Sequence, residues 1–113
     1  MKNVIKEYLE KINMFDYLLS KYKNVITYQT ENDITTGLLR FNKPPKNTIF
    51  LFLFPKEEIL EFHTIGMKFS INIYFFNSQK QLVSKYINVK PNTKIINSKN
   101  STKYVIEETY EKN

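Results

Sequence analysis

A chain of 113 residues, 42% of them hydrophobic, is long enough for one folded core and too apolar for intrinsic disorder. It has no cysteine, so disulfides, thiolate metal sites and cysteine nucleophiles are excluded. The formal charge is +6, but alanine is absent, glycine occurs twice and Arg40 is the only arginine, a bias typical of AT-rich coding that accounts for part of the lysine excess.

Residues 2–23 carry the spacing of one amphipathic helix, with Val4, Tyr8, Ile12, Phe15, Leu19 and Tyr22 recurring every three or four positions. Lys2, Lys6, Glu7, Glu10 and Lys11 interrupt any continuous apolar stretch, so no signal peptide is expected. The longest apolar run, Ile49 to Phe54, is far shorter than the roughly 20 residues of a bilayer span, which predicts no membrane partner and a cytoplasmic or within-virion location. The helix is expected to end near Lys23-Asn24.

From there the period changes to two. Val25 to Tyr28 reads as a strand, and Thr36 to Phe41 as a strand or a short helical turn. Asn42 to Asn47, with its paired prolines, is a loop. Ile49 to Phe54 reads as a strand buried on both faces and closed by Pro55, followed by a short strand at Ile59 to His63. Phe69 to Phe76, a turn at Asn77 to Lys80, and Leu82 to Val89 form the clearest hairpin. Thr93 to Ile96 and Lys103 to Glu107 are the last strands, and the tail from Glu108 is expected to fray. The fold class expected is mostly β (α+β): a small, barrel-like antiparallel sheet, closed or nearly so, with one N-terminal amphipathic helix. The expected organisation is helix 1–24, β domain 25–108 and tail 109–113.

The string His63-Thr64-Ile65-Gly66-Met67-Lys68-Phe69-Ser70-Ile71-Asn72, followed by the apolar Ile73 to Phe76, resembles the signature His-Thr-Phe-Gly-Met-Arg-Phe-Pro-Ile-Asp of the domain of unknown function 192 family. Thr36-Gly37-Leu38-Leu39-Arg40, Phe52-Leu53-Phe54-Pro55 and Tyr104-Val105-Ile106-Glu107 resemble further family segments in the same order. The resemblance covers residues 25 to 108 and implies a small, largely β, barrel-like domain without an established activity. The chain departs from the family pattern where the aspartate is Asn72, the proline is Ser70, and the glycine that often follows the last strand is replaced by Glu108-Thr109.

Chemistry-bearing residues are scarce. His63 is the only histidine, and no acidic residue stands between Glu61 and Glu107, so an orienting carboxylate must come from tertiary contact with Glu31, Asp33 or Glu107. One histidine and no cysteine do not make a zinc site, and no cofactor is expected. The expectation is therefore a non-catalytic binding or structural domain within a larger protein assembly, such as a phage particle. A small-ligand or enzymatic site around Thr36, Gly37, Arg40, His63 and Asn72 is the alternative, since these residues sit in the family-like segments and could meet at one rim.

Residues 63 to 105 carry seven lysines and no acid: Lys68, Lys80, Lys85, Lys90, Lys94, Lys99 and Lys103. Interleaved with Tyr74, Phe75, Tyr86 and Tyr104, they suggest a second alternative, weak nucleic-acid binding, which requires those rings to be exposed for stacking. The helix 2–23 is the other partner element. It either covers its own sheet, the preferred expectation, or docks on a protein partner or a second copy.

Overall fold

The computed structural model describes residues 13–111. The first element is helix α1, Met14–Ser20, in which Phe15 and Leu18, three positions apart, are the buried residues. The expected helical positions 2–12 lie outside the described residues. The helix stops at Ser20 rather than at Lys23-Asn24, because the backbone N–H of Asn24 is drawn to the carbonyl of Asn47 (3.0 Å) and Val25 and Ile26 join a ladder. Strand β1 spans Asn24–Tyr28.

The connection to the next strand is helical. Helix α2, Glu31–Thr36, is capped by Thr30, whose Oγ1 accepts the Asp33 N–H at 3.1 Å, and Glu31 and Asp33 lie in its first turn, where carboxylates complement the helix dipole. It runs into a 3-10 turn at Gly37–Arg40, so Thr36 to Phe41 takes the helical of its two expected forms. Gly37 supplies φ +43° at the junction, a left-handed conformation costly for any other residue. This crossover lets β1 pair in parallel with β2, Thr48–Glu58, in the register Val25 to Ile49 and Tyr28 to Phe52.

The main sheet has the order β1-β2-β7-β4-β5, where β4 is Ile71–Phe76, β5 is Leu82–Val89 and β7 is Thr102–Thr109. The mostly-β, α+β class holds, with two corrections. The β1–β2 pair is parallel, so the sheet is mixed rather than antiparallel. The sheet is also open: the remaining strands, β3 at Glu61–Phe62 and β6 at Ile96–Asn97, pair with each other and do not bridge the edges β1 and β5. Pro55 does not close β2, as expected from sequence, but sits inside it. The β2–β7 register slips between Leu53 and Glu58, where proline has no N–H for the ladder.

The expected hairpin is β4 and β5. Asn77 Oδ1 accepts the N–H groups of Gln79 and Gln81 and holds its turn. The tail does not fray at Glu108: that residue is buried, Thr109 pairs with Ile71, and the Tyr110 N–H reaches Ser70 O at 3.0 Å. Period-two alternation divides the core. Phe50, Phe52, Ile73, Phe75 and Val105 fill one face, while Ile49, Tyr74, Phe76 and Ile106 fill the other together with Phe15 and Leu18 of α1. Among the described residues, no helix is long and apolar enough to cross a membrane.

Candidate functional site

The first face is not filled completely. A cavity of about 260 Å³ lies against it. Phe52 and Phe54 of β2 and Glu107 of β7 come from the sheet, Ile34 to Leu39 from the α2 and 3-10 crossover, and Leu60 to His63 with Met67 from the segment around β3. Edge-on ring contacts of Phe62 with Phe52 (5.8 Å) and Phe54 (6.0 Å) hold the aromatic part of the wall, an arrangement that aromatic quadrupoles favour. The crossover and the Thr64–Met67 loop meet where Leu39 Cδ2 stands 3.3 Å from the position a Cβ would take on Gly66, a residue at φ +86°. Both glycines thus serve the backbone geometry of this rim.

Glu107 is the unusual member. Strand alternation places it on the face of Val105, opposite Phe50 of β2 and Ile73 of β4, so a carboxyl group enters an otherwise apolar layer. Only 5% of the residue is exposed. Burial pushes its pKa up to about 8, and among the described residues no hydrogen bond offsets the desolvation. A buried carboxyl of this kind is costly unless something pairs with it.

Of the residues singled out from sequence, Thr36, Gly37 and His63 line this cavity. Arg40 does not. It turns outward to Asp33 Oδ1 (2.8 Å) and lies over the Tyr28 ring at 4.9 Å. Asn72 does not either; it belongs to the opposite face. His63 is exposed at the rim, with Nδ1 accepting the Ile65 N–H at 3.2 Å. Glu107, which the sequence offers only as one of three acids that could reach His63, lines the same cavity as His63 and is not among the site residues expected from sequence. Its sequence signal is the inward-facing position of an acid in Val105-Ile106-Glu107, visible only once the strand's orientation is known.

The family-like string is held by Thr64 rather than by His63. The buried Thr64 hydroxyl donates to Lys90 O (2.7 Å) and accepts the Thr93 N–H (2.9 Å), and its own carbonyl receives the N–H groups of Met67 and Asn92. Thr64→Val keeps the volume and strips the hydroxyl, leaving the Thr93 N–H without its acceptor, while Lys90 O keeps the Thr93 hydroxyl as a donor. It is expected to lower stability by about 2 kcal/mol in chemical denaturation. An unchanged midpoint would show that the hydroxyl is dispensable.

Asn72 and Glu108 form a separate cluster on the α1 side. Asn72 Nδ2 donates to Glu108 Oε2 (3.0 Å), while Asn72 Oδ1 accepts the Asn88 N–H (2.9 Å) at a bulge of β5 where Asn88 has φ 57°. Tyr74 Oη donates to Glu108 Oε2 (2.5 Å), and Tyr22 Oη donates to Oε1. Burial acts to raise the Glu108 pKa, but the donors Tyr22, Tyr74 and Asn72, aided by Lys21, bring it below its ordinary value. Two of the three departures from the family pattern are therefore partners, since an aspartate at 72 would face the Glu108 carboxylate. Asn72→Asp is expected to cost about 1–2 kcal/mol at pH 7 through like-charge repulsion. The loss should shrink below about pH 4 as the pair gains a proton, and should vanish in the Asn72→Asp, Glu108→Gln double variant. A pH-independent loss, unrelieved in the double variant, would assign the cost to packing instead.

Stacking on bases needs exposed rings beside the lysines. Tyr74 and Phe75 are buried, and Tyr86 and Tyr104 are half-buried. Lys103 Nζ donates to Phe54 O (2.9 Å), Lys80 lies 5.0 Å from the Phe15 ring centroid, and Lys99 lies 5.9 Å from that of Tyr86. Among the described residues, no group of three or more histidines, cysteines or acids could share a metal ion.

The chain matches the model of the family DUF192, described as "Uncharacterized ACR", over residues 20–111. No curated protein matches. Two solved structures share the fold, each with a TM-score of 0.71 and 76% of this chain covered. One is a candidate transcription regulator from Sinorhizobium meliloti, 18% identical and covered over 67% of its length. The other is a protein of unknown function from Novosphingobium aromaticivorans, 15% identical and covered over 62%. At these identities the likeness extends to the fold alone.

Proposed function

From the premise that the chain belongs to the DUF192 family, whose members are uncharacterised, we propose that this domain is a non-catalytic binding module whose cavity takes a small ligand. The observation that carries this reading is the Glu107 carboxyl, which has no hydrogen-bond partner among the described residues and stands in an aromatic and aliphatic wall that lines open space. A few polar groups placed in a mostly apolar hollow are the usual anatomy of a small-molecule site. Thr36 and His63 add polar groups to the lining, which favours a ligand with a polar end. His63 has no carboxylate hydrogen-bonded to it among the described residues, which is why binding is preferred over acid–base catalysis.

A fragment screen by heteronuclear NMR on the full chain tests this. The expected outcome is a set of fragments that shift the amides of Leu38, Leu39, Phe62 and Met67 together. Shifts confined to other surfaces, or none at millimolar fragment, would remove the reading.

A second reading, contact with another protein in a larger assembly, is supported by a different surface. Ile87 on the edge strand β5 is 51% exposed and Ile95, just before β6, is 68% exposed, and an unpaired strand edge with exposed apolar side chains invites pairing.

A further inference from the structure

We infer that the ligand of this cavity is a small organic cation, an amine whose ammonium end faces Glu107 and whose apolar end lies against Phe52, Phe54 and Phe62. The inference rests on the pocket reading above and names the class of ligand.

The first argument is charge. The chain carries 17 lysines and arginines against 11 acids, yet among the described residues the acids of the cavity wall are Glu61 and Glu107, and no lysine or arginine lines it. A surface otherwise rich in lysine thus surrounds a hollow whose ionisable wall groups include carboxyls and no basic side chain among the described residues, so an entering cation gains an ion pair by ionising Glu107, whereas a carboxylate or phosphate gains none. Arg40 illustrates the exclusion. It is the arginine of the crossover that forms one wall, and it is held outside by Asp33 and the Tyr28 ring.

The second argument is the chemistry of the wall. An ionised carboxyl accepts and does not donate, so its natural partner is an N–H⁺ group. Aromatic faces add to this, because ring quadrupoles attract a cation within about 6 Å. Phe62 makes edge contacts with both Phe52 and Phe54, and an alkyl or aryl tail can bury its surface against them. A neutral alcohol would gain the same apolar contact without offsetting the desolvation of the carboxyl.

Proton balance gives the inference a signature. At neutral pH the buried carboxyl is mostly protonated, so an incoming ammonium forms the ion pair and releases the carboxyl proton to solvent. Among the described residues, the titratable and charged groups facing Glu107 are few: Glu61 and His63 from the β3 segment share the cavity wall, and the Tyr28 phenol of β1, backed by Arg40, interacts with it from the side. Neither tyrosine nor arginine changes charge between pH 6 and 8, since the Tyr28 pKa is raised further from that range by burial.

The test uses the full chain and three probes of matched length: pentylammonium, pentanol and pentanoate. Affinities are read by NMR titration at pH 6, 7 and 8. The expected result is that pentylammonium binds at the cavity amides at least tenfold more tightly than the other two at pH 8, and tightens about tenfold from pH 6 to pH 7 as ionisation becomes easier. Glu107→Gln should bind pentylammonium and pentanol alike, with no pH dependence. Equal binding of ammonium and alcohol in the unaltered chain, or preference for pentanoate, would overturn the cation assignment and leave the pocket standing. Failure of all three probes to shift the cavity amides at any pH would remove the pocket as well.

Discussion

Glu107→Gln is expected to make the protein more stable at neutral pH, by about 3 kcal/mol at pH 7. Glutamine keeps the shape and a polar end but has no charge to desolvate. The carboxyl pKa is near 4.5 when solvated and rises to about 8 in the folded chain. The folded state therefore holds a proton that the unfolded chain has released. The favourable contribution of the protonated form is complete below about pH 4.5 and is lost progressively as pH rises through about 8. The variant should thus differ little from the unaltered chain at pH 4.5, and the gap should widen by about 1.4 kcal/mol per pH unit up to about pH 8, then level off. In thermal unfolding at pH 7 this corresponds to a rise in Tm of roughly 10 °C or more for a domain of this size. A Tm difference that is flat with pH would show that the carboxyl is solvated or paired. A residue that lowers stability at working pH is most simply explained by what it binds, which ties this measurement to the cavity.

Leu18→Ala is expected to destabilise by about 3 kcal/mol, within the range for a fully buried leucine truncated to alanine. Leu18 is 1% exposed and packs in one cluster with Ile49 of β2, Tyr74 and Phe76 of β4, and Ile106 of β7. Phe15 reinforces the contact through an edge-on ring pair with Phe76 at 5.2 Å. The described part of the helix therefore roofs its own sheet. The loss should appear as a lower denaturation midpoint that does not depend on protein concentration. If α1 instead docked mainly on another chain, the variant would keep monomer stability and lose association, so a midpoint that shifts only with concentration would contradict the packing assigned to Leu18.

The legible parts of the fold are those where a single period persists. The β4–β5 hairpin, the doubly buried Ile49 to Phe54 run and the strand at Val25 to Tyr28 all appear where alternation and turn residues place them. Boundaries depended on groups elsewhere in the chain. The periodicity predicts a helix to residue 23, but Asn47 captures Asn24; the sequence predicts a loose tail, but Tyr22, Asn72 and Tyr74 satisfy Glu108. The site was partly legible. Thr36, Gly37 and His63 stood out through the family-like segments and do share the cavity, whereas Asn72 came from the same string and faces the other way. Beyond the hairpin and the loop that precedes it, string adjacency did not predict spatial adjacency, because neighbouring strand residues point to opposite faces.

By itself, the sequence determined the class: one cysteine-free, mostly-β domain with an amphipathic segment at its start, because composition and hydrophobic period are local properties that survive without knowledge of partners. Only the tertiary structure decided that β1 lies parallel to β2, that the sheet stays open, and that Glu107 enters an aromatic hollow. Those outcomes depend on which strands become neighbours and which face of each turns inward, and both are settled by long-range packing that no local pattern encodes.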